Sequence, residues 1–322
     1  MTGSISPKSV VASGHGLFFA QNMMYRHTIT VYNRSFRLVK TIPDSVDLAK
    51  LGAPNFPGVY QGAPVEAAFT PDGAHAYVSN YSMYGPKMTR EGHDVCSPSS
   101  GYDRSFLYRV DVAKLRIDRA IAVGSVPKYV AVTPDGRFAL VSNWCSYSLS
   151  VVSTKLGRQV RELSLGPYPR GIAVSPDSKW AYVAVMGSRH VARINLKTFA
   201  VSWIDSVGSG PRHLVIGPSG NFLYATLNGE GNVAKINLHT GAVITKVATG
   251  SQPRSMAISD DGRVLYVVNY ESNTVTKVRT SDMAVVQTVQ TGSHPIGITY
   301  DAATRQVWVA CYTGSVEVWR DA

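Results

Sequence analysis

Apolar residues along this chain fall in short runs, many alternating with small or polar residues, and each run is bounded by Gly, Pro, Asp or Asn. One series reads Tyr129-Val130-Ala131-Val132-Thr133, Phe138-Ala139-Leu140-Val141-Ser142, Ser148-Leu149-Ser150-Val151-Val152 and Val160-Arg161-Glu162-Leu163-Ser164. β-Branched and aromatic segments bounded in this way predict strands joined by tight turns. The runs lack a 3.6-residue period, which counts against a helical solenoid.

The series repeats. Pro127, Pro169, Pro211, Pro253 and Pro295 stand 42 residues apart, each with a Gly three residues before it. A turn follows seven residues after each Pro, as in Pro134-Asp135-Gly136 and Pro176-Asp177-Ser178, and the last repeat has Ala302-Ala303-Thr304 there. Four strands in about 40 to 45 residues make one propeller blade. Pro64 and Pro7 open two further units, lengthened by insertions at 84–105 and 43–60. The count is seven. The chain is therefore expected to be all-β, one seven-bladed β-propeller of four-stranded antiparallel blades over 1–322. Its blades fall near 1–42, 61–123, 124–165, 166–207, 208–249, 250–291 and 292–322. The last unit has only three strands, and Met1 to Ser6 is the free segment that could supply a fourth.

Antiparallel alternation places both insertions and all Gly-x-x-Pro links on one face. Long loops on one side of a rigid scaffold are where binding usually resides. The residue after each marker Pro starts the channel-lining strand and reads Lys8, Val65, Lys128, Arg170, Arg212, Arg254, Ile296. Five of these seven are cationic. Neighbouring charges roughly 10 Å apart repel by only about 0.4 kcal/mol in water, and by several-fold more in a poorly solvated mouth. Together they predict an anion-attracting opening, unless each cation is spent on a neighbouring carbonyl or carboxylate. Glu66 and His213 lie two residues after their Pro, and His294 lies one before. Asn143, Trp144, Asn228, Asn269, Tyr270 and Tyr312 end second strands and are candidates for a polar and aromatic contact layer. The competing expectation has Asn supporting turns and the aromatics packing between blades.

The formal net charge of +11 agrees with an anionic partner. Cys96 and Cys145 fall in adjacent loops of the same face, so a disulfide between them is expected, with an oxidising compartment. Cys311 is left as a small buried hydrophobe. No apolar run approaches the ~18 residues of a membrane helix. Met1-Thr2-Gly3-Ser4 has neither the charged nor the apolar region of a signal peptide. The eight histidines show no metal-ligand spacing, and there is no nucleophile elbow, phosphate loop or dinucleotide fingerprint, so no metal and no cofactor is expected.

The repeat Gly-x-x-Pro-x-x-x-Ala-Val-x-Pro-Asp-Gly, followed by Tyr77-Val78-Ser79-Asn80, Leu140-Val141-Ser142-Asn143 or Tyr266-Val267-Val268-Asn269, resembles the YVTN family of β-propellers, including its YncE-like bacterial members. The resemblance implies an extracytoplasmic protein (secreted, periplasmic or on the cell surface), and DNA binding is reported for the YncE type. The leading expectation is a non-enzymatic scaffold holding an anionic small molecule or polymer at the channel mouth, with nucleic acid and acidic cell-wall polymer as polymer candidates. The rival is a lyase or hydrolase using His213 or His294 as base and Glu66 as its partner. A structural surface protein that docks a protein partner on insertions 43–60 and 84–105 is the third.

Overall fold

A computed structural model describes residues 1–321 of the chain; Ala322 lies outside the described residues. The strands group into seven blades, spanning Pro7–Pro43, Ser45–Ala122, Pro127–Ser164, Pro169–Ile204, Pro211–Ala248, Pro253–Gln290 and Pro295–Arg320. Within each blade consecutive strands pair antiparallel, from the axis outward. Blade 3 is typical, with strands Pro127–Val132, Phe138–Asn143, Ser148–Ser153 and Arg158–Ser164. First strands stand side by side around the axis, and that of blade 7 (Pro295–Asp301) meets that of blade 1 (Pro7–Ala12), closing the ring.

The turn between first and second strands is latched by side chains. Asp135 accepts from the Thr133 hydroxyl at 2.6 Å and from the Arg137 N–H at 3.0 Å. Asp72, Asp177 and Asp261 repeat the hydroxyl bond at 2.6 Å in their blades. Short Asp side chains bonding their own backbone favour such turns. Gly136 supplies the left-handed residue there with φ 70°, and Ser178 takes the same conformation at φ 57°. These turns are short, which leaves the opposite face to the long loops.

The core lies between blades. Leu140, Leu149 and Val151 of blade 3 pack on Ile172, Val183 and Ile194 of blade 4. At the closure, Phe18 stacks on Trp308 with ring centroids 3.8 Å apart, and Val10 and Val316 join the same cluster. Burying such side chains contributes about 1.5–3 kcal/mol each.

Blade 7 has three strands, as its length required. Met1 exchanges two backbone bonds with Val316 at its outer edge, 2.6 and 2.8 Å long. The expected fourth strand is thus reduced to one residue pair, because the chain turns at Gly3–Ile5 and Ser6 is drawn to the Asn22 side chain.

Insertion 43–60 is not a projecting loop. Ser45–Asp47 pairs with Val59–Gln61 and adds a fifth strand to blade 2. Leu48 and Tyr60 are fully buried, and Leu51 accepts from the Ala120 N–H. This segment is packed home and offers less free surface for a partner than a loop. Insertion 84–105 follows a long second strand, His75–Tyr84, and holds a short 3-10 turn, Pro98–Ser100. No helix of the described residues is long and apolar enough to cross a membrane.

Candidate functional site: a cationic collar at the channel mouth

Every first strand carries the same irregularity. The register with the second strand shifts between the marker Pro and the next paired residue in all seven blades, with one extra residue on the inner strand. A bulge re-aims its side chain, and Pro fits there because it has no N–H to offer the ladder. In five blades the extra position is the residue after the Pro, and in blades 4 and 5 it falls within the two residues that follow it. Lys8, Val65, Arg170, Arg212, Arg254 and Ile296 accordingly line one constriction of about 10 Å³. That is room for about one water. Lys128 belongs to the same ring, since its charge acts on Lys8.

The collar is under-compensated. Lys128 pairs with Asp94 at 2.6 Å. Arg212 donates to the Arg254 carbonyl at 2.8 Å, and Arg254 donates to the Gln252 side-chain oxygen at 3.0 Å. Among the described residues, no carboxylate lies within 4.0 Å of Lys8, Arg170, Arg212 or Arg254. The competing expectation, that carbonyls or acids use up each cation, therefore holds for Lys128 and Arg212, and for Arg254 through the Gln252 amide oxygen, but not for Lys8 or Arg170. Burial, then repulsion from Lys128 and the three arginines, pushes Lys8 well below the usual lysine range. Burial lowers Lys128 to about 7 against the opposing pull of Asp94. Burial and then Arg254 lower Arg170 to about 10, and burial with Arg170 and Arg254 lowers Arg212.

Aromatic rings flank these cations. Lys8 lies 4.8 Å from the Tyr312 ring, and Arg254 lies 3.5 Å from that of Tyr270. Lys128 sits 4.2 Å from Tyr81 and 5.3 Å from Trp144, which also faces Arg170 at 6.0 Å. Such contacts offset part of the charge burial, by about 0.5–2 kcal/mol each. The structure thus brings Trp144, Tyr270 and Tyr312 to the mouth.

Asn143 and Asn269 do not reach it. Both are fully buried. Asn143 donates to Ser148 and Ser150 at 3.1 and 2.9 Å and accepts from the Gly124 N–H at 3.1 Å. Asn269 donates to Thr274 and Thr276 at 3.0 and 2.9 Å. At the end of a second strand this side chain faces the third strand, so it serves as a latch within the blade. Asn228 lines an open surface hollow with Gly229, Glu230 and Gln252 and is not among the residues that line the collar.

One step below the collar, the second residues after Pro line a channel cavity of about 250 Å³, among them Ser9, Glu66, Tyr129, His213 and Ser255. Gly171 and Gly297 hold the same step in two blades. A Cβ at either would lie 2.6 Å from the next blade's backbone, so Gly is what lets adjacent inner strands approach. Burial raises Glu66 to about 7, opposed by Ser9 and the arginines. Burial, then Arg212 and Arg170, lowers His213 to about 3. His213 Nδ1 accepts from the Met256 N–H at 3.2 Å, which assigns the proton to Nε2, 3.1 Å from the Tyr129 hydroxyl. A neutral imidazole whose lone pair is taken by a backbone amide is a poor base. His294 lines neither cavity; its ring packs on Tyr270 and its Nδ1 bonds the Ser293 hydroxyl. The structure brings Glu66 and His213 onto the same cavity lining and leaves His294 outside it, so the expected acid–base trio is not assembled.

The disulfide between Cys96 and Cys145 is present, with Cα atoms 5.4 Å apart. It lies beneath the mouth, packed with Val126 and against Tyr81, Trp144 and Tyr168. Cys311 is buried and free, and burial pushes its thiol up to about 11.

The family described as YNCE-like beta-propeller matches residues 105–310. This chain belongs to the YNCE-like β-propeller family. No curated protein matches it. Among solved structures, Kuenenia stuttgartiensis hydrazine synthase is similar over 100% of this chain and 97% of that one, with a TM-score of 0.78 and 19% identity, a likeness of fold alone.

Two residues that shape the mouth of this YNCE-like propeller were not singled out from its sequence, Tyr129 and Asp94. Tyr129 holds the same step as Glu66 and His213, so the repeat frame was sufficient to find it. Asp94 lies in an insertion with no repeat to register it against.

The collar's charge is pH-dependent. As pH rises through about 7, Lys128 loses its proton and Glu66 loses its own, and both changes make the mouth less positive. Sulfate, whose charge is constant over this range, is expected to bind about 10-fold more weakly at pH 8.5 than at pH 6. Calorimetric titration at the two pH values checks this; equal affinity would contradict the assignment.

Proposed function

We propose that this YNCE-like propeller is an extracytoplasmic binding scaffold that receives an anionic ligand at the cationic mouth. The observation that carries the reading is the convergence of Lys8, Arg170, Arg212 and Arg254 on one constriction with no carboxylate within 4.0 Å of any of them, the Glu66 carboxyl on the same lining being raised by burial to about 7. Gathering like charges in a poorly solvated place is unfavourable by itself. A multiply charged anion relieves it. The charges converge on the axis and do not run in a stripe, which favours one compact anionic group over the backbone of a polymer. The disulfide supports the extracytoplasmic placement, because such bonds persist in oxidising compartments.

The test is titration with pyrophosphate at 50 and 200 mM salt, beside an Arg170→Ala/Arg254→Ala variant. The wild type is expected to bind and to weaken with salt. Two lost charge-assisted bonds, at about 1.5–3 kcal/mol each, predict a fall of at least ~100-fold in the variant. Affinity indifferent to both salt and substitution removes the reading. Glu66, held near 7 in the lining of a polar cavity, is the one observation that favours catalysis. Turnover abolished by Glu66→Gln would turn the scaffold into an enzyme.

A further inference from the structure

The collar itself has almost no free space, so a ligand's anionic group is received above it, at the outer mouth. That place already holds a carboxylate. Asp94, on insertion 84–105, is bonded by Lys128 at 2.6 Å and by the Tyr81 hydroxyl at 3.1 Å. Its side chain is 68% exposed, on the solvent side of a lysine that is 5% exposed. Its charge acts on Lys8, Arg170, Arg212 and Arg254 alike. Its backbone is pinned on both sides: the Asp94 carbonyl accepts from Trp144 Nε1 at 2.9 Å, and Cys96, two residues on, is bonded to Cys145.

We propose that Asp94 is a tethered occupant of the anion site, which an incoming ligand must displace. The inference rests on the reading of the mouth as an anion site and adds a selectivity to it. A short tether gives a group an effective concentration of about millimolar or more. A free monocarboxylate makes the same contact as Asp94 and gains nothing by exchange, so it is held off. A multiply charged anion also engages Arg170 and Arg254, neither of which has a carboxylate partner among the described residues, and displaces the strap. The ligand class is therefore a compact polyanion of phosphate type, and simple carboxylates are excluded.

The experiment titrates acetate and pyrophosphate into the wild type, Asp94→Asn and Cys145→Ser proteins at 150 mM salt, where exposed charges beyond about 8 Å are screened. Displacement predicts that Asp94→Asn tightens both probes by the same factor, about 10-fold or more. Cys145→Ser, which keeps the carboxylate and loosens its anchor, should give a smaller gain in the same direction. If Asp94 acted only through its field, pyrophosphate would gain more than acetate in step with its charge, and the proposal would be wrong. A loss of affinity in Asp94→Asn would make Asp94 a ligand contact and overturn it. Wild-type binding of pyrophosphate with no change in Asp94→Asn rejects the tethered occupant alone. No binding of either probe by any of the proteins rejects the anion site as well.

Discussion

Replacing Lys8 by methionine is expected to stabilise the unliganded propeller and to weaken its hold on anions. Lys8 Nζ has no hydrogen-bond or carboxylate partner among the described residues and lies over the Tyr312 ring at 4.8 Å. Four other cations act on it. An apolar side chain of similar length leaves the packing in place and removes the repulsion. Replacing a buried ion pair by apolar side chains of similar volume often stabilises by about 1–4 kcal/mol, and a buried cation with no partner has no ion-pair attraction to lose. Lys8 keeps part of its surface at the mouth, so ~1–2 kcal/mol is the fitting share, a rise of a few degrees in Tm. The sign with pH follows from the depressed lysine. The folded state binds fewer protons than the unfolded state between the lowered pKa and the ordinary lysine value, so wild-type stability climbs with pH over that window. The advantage of Lys8→Met is therefore greatest at and below neutral pH and fades towards pH 10. Urea unfolding at pH 6 and pH 10, beside a pyrophosphate titration, reads both effects. A destabilised variant with unchanged affinity would show that Lys8 is a structural residue.

Breaking the Cys96–Cys145 bond has the larger effect on stability. The bond closes a loop with a sequence separation of 49 residues. The chain-entropy relation gives about 4 kcal/mol for a loop of this length, and measured values commonly fall between 2 and 4 kcal/mol. Of the buried residues packed around the bond, Cys96 alone belongs to the insertion, the others being Val126 and Cys145. Cys96→Ser/Cys145→Ser should lower the urea midpoint by the corresponding amount. Cys311 should stay unreactive towards a thiol reagent in the folded protein, since it is buried with a thiol raised to about 11. A midpoint that does not move would mean that the insertion folds independently of its bond.

The parts of this structure that were readable in the sequence are those that repeat. The prolines 42 residues apart mark the start of the channel strands, and the residues that follow them do converge. The Cys96–Cys145 pairing was readable because antiparallel alternation puts the two loops on one face in adjacent blades. Asn143 and Asn269 were misplaced because strand ends alternate in facing: the rim takes Trp144 and Tyr270, and the residue before each turns inward to the third-strand hydroxyls. The bulge was hidden because it is a register fact, visible only once both strands are paired. Asp94 was hidden because its partner Lys128 is 34 residues away, in another blade. The packing of Leu48 and Tyr60 turned an expected loop into part of blade 2.

The most direct test is a crystal of the protein soaked in tungstate, with anomalous scattering used to place the heavy oxyanion. Density on the propeller axis, above Lys8, Arg170 and Arg254 and beside a displaced Asp94, is the expected result. Tungstate found only at scattered surface lysines, with the mouth empty and Asp94 still on Lys128, would contradict it.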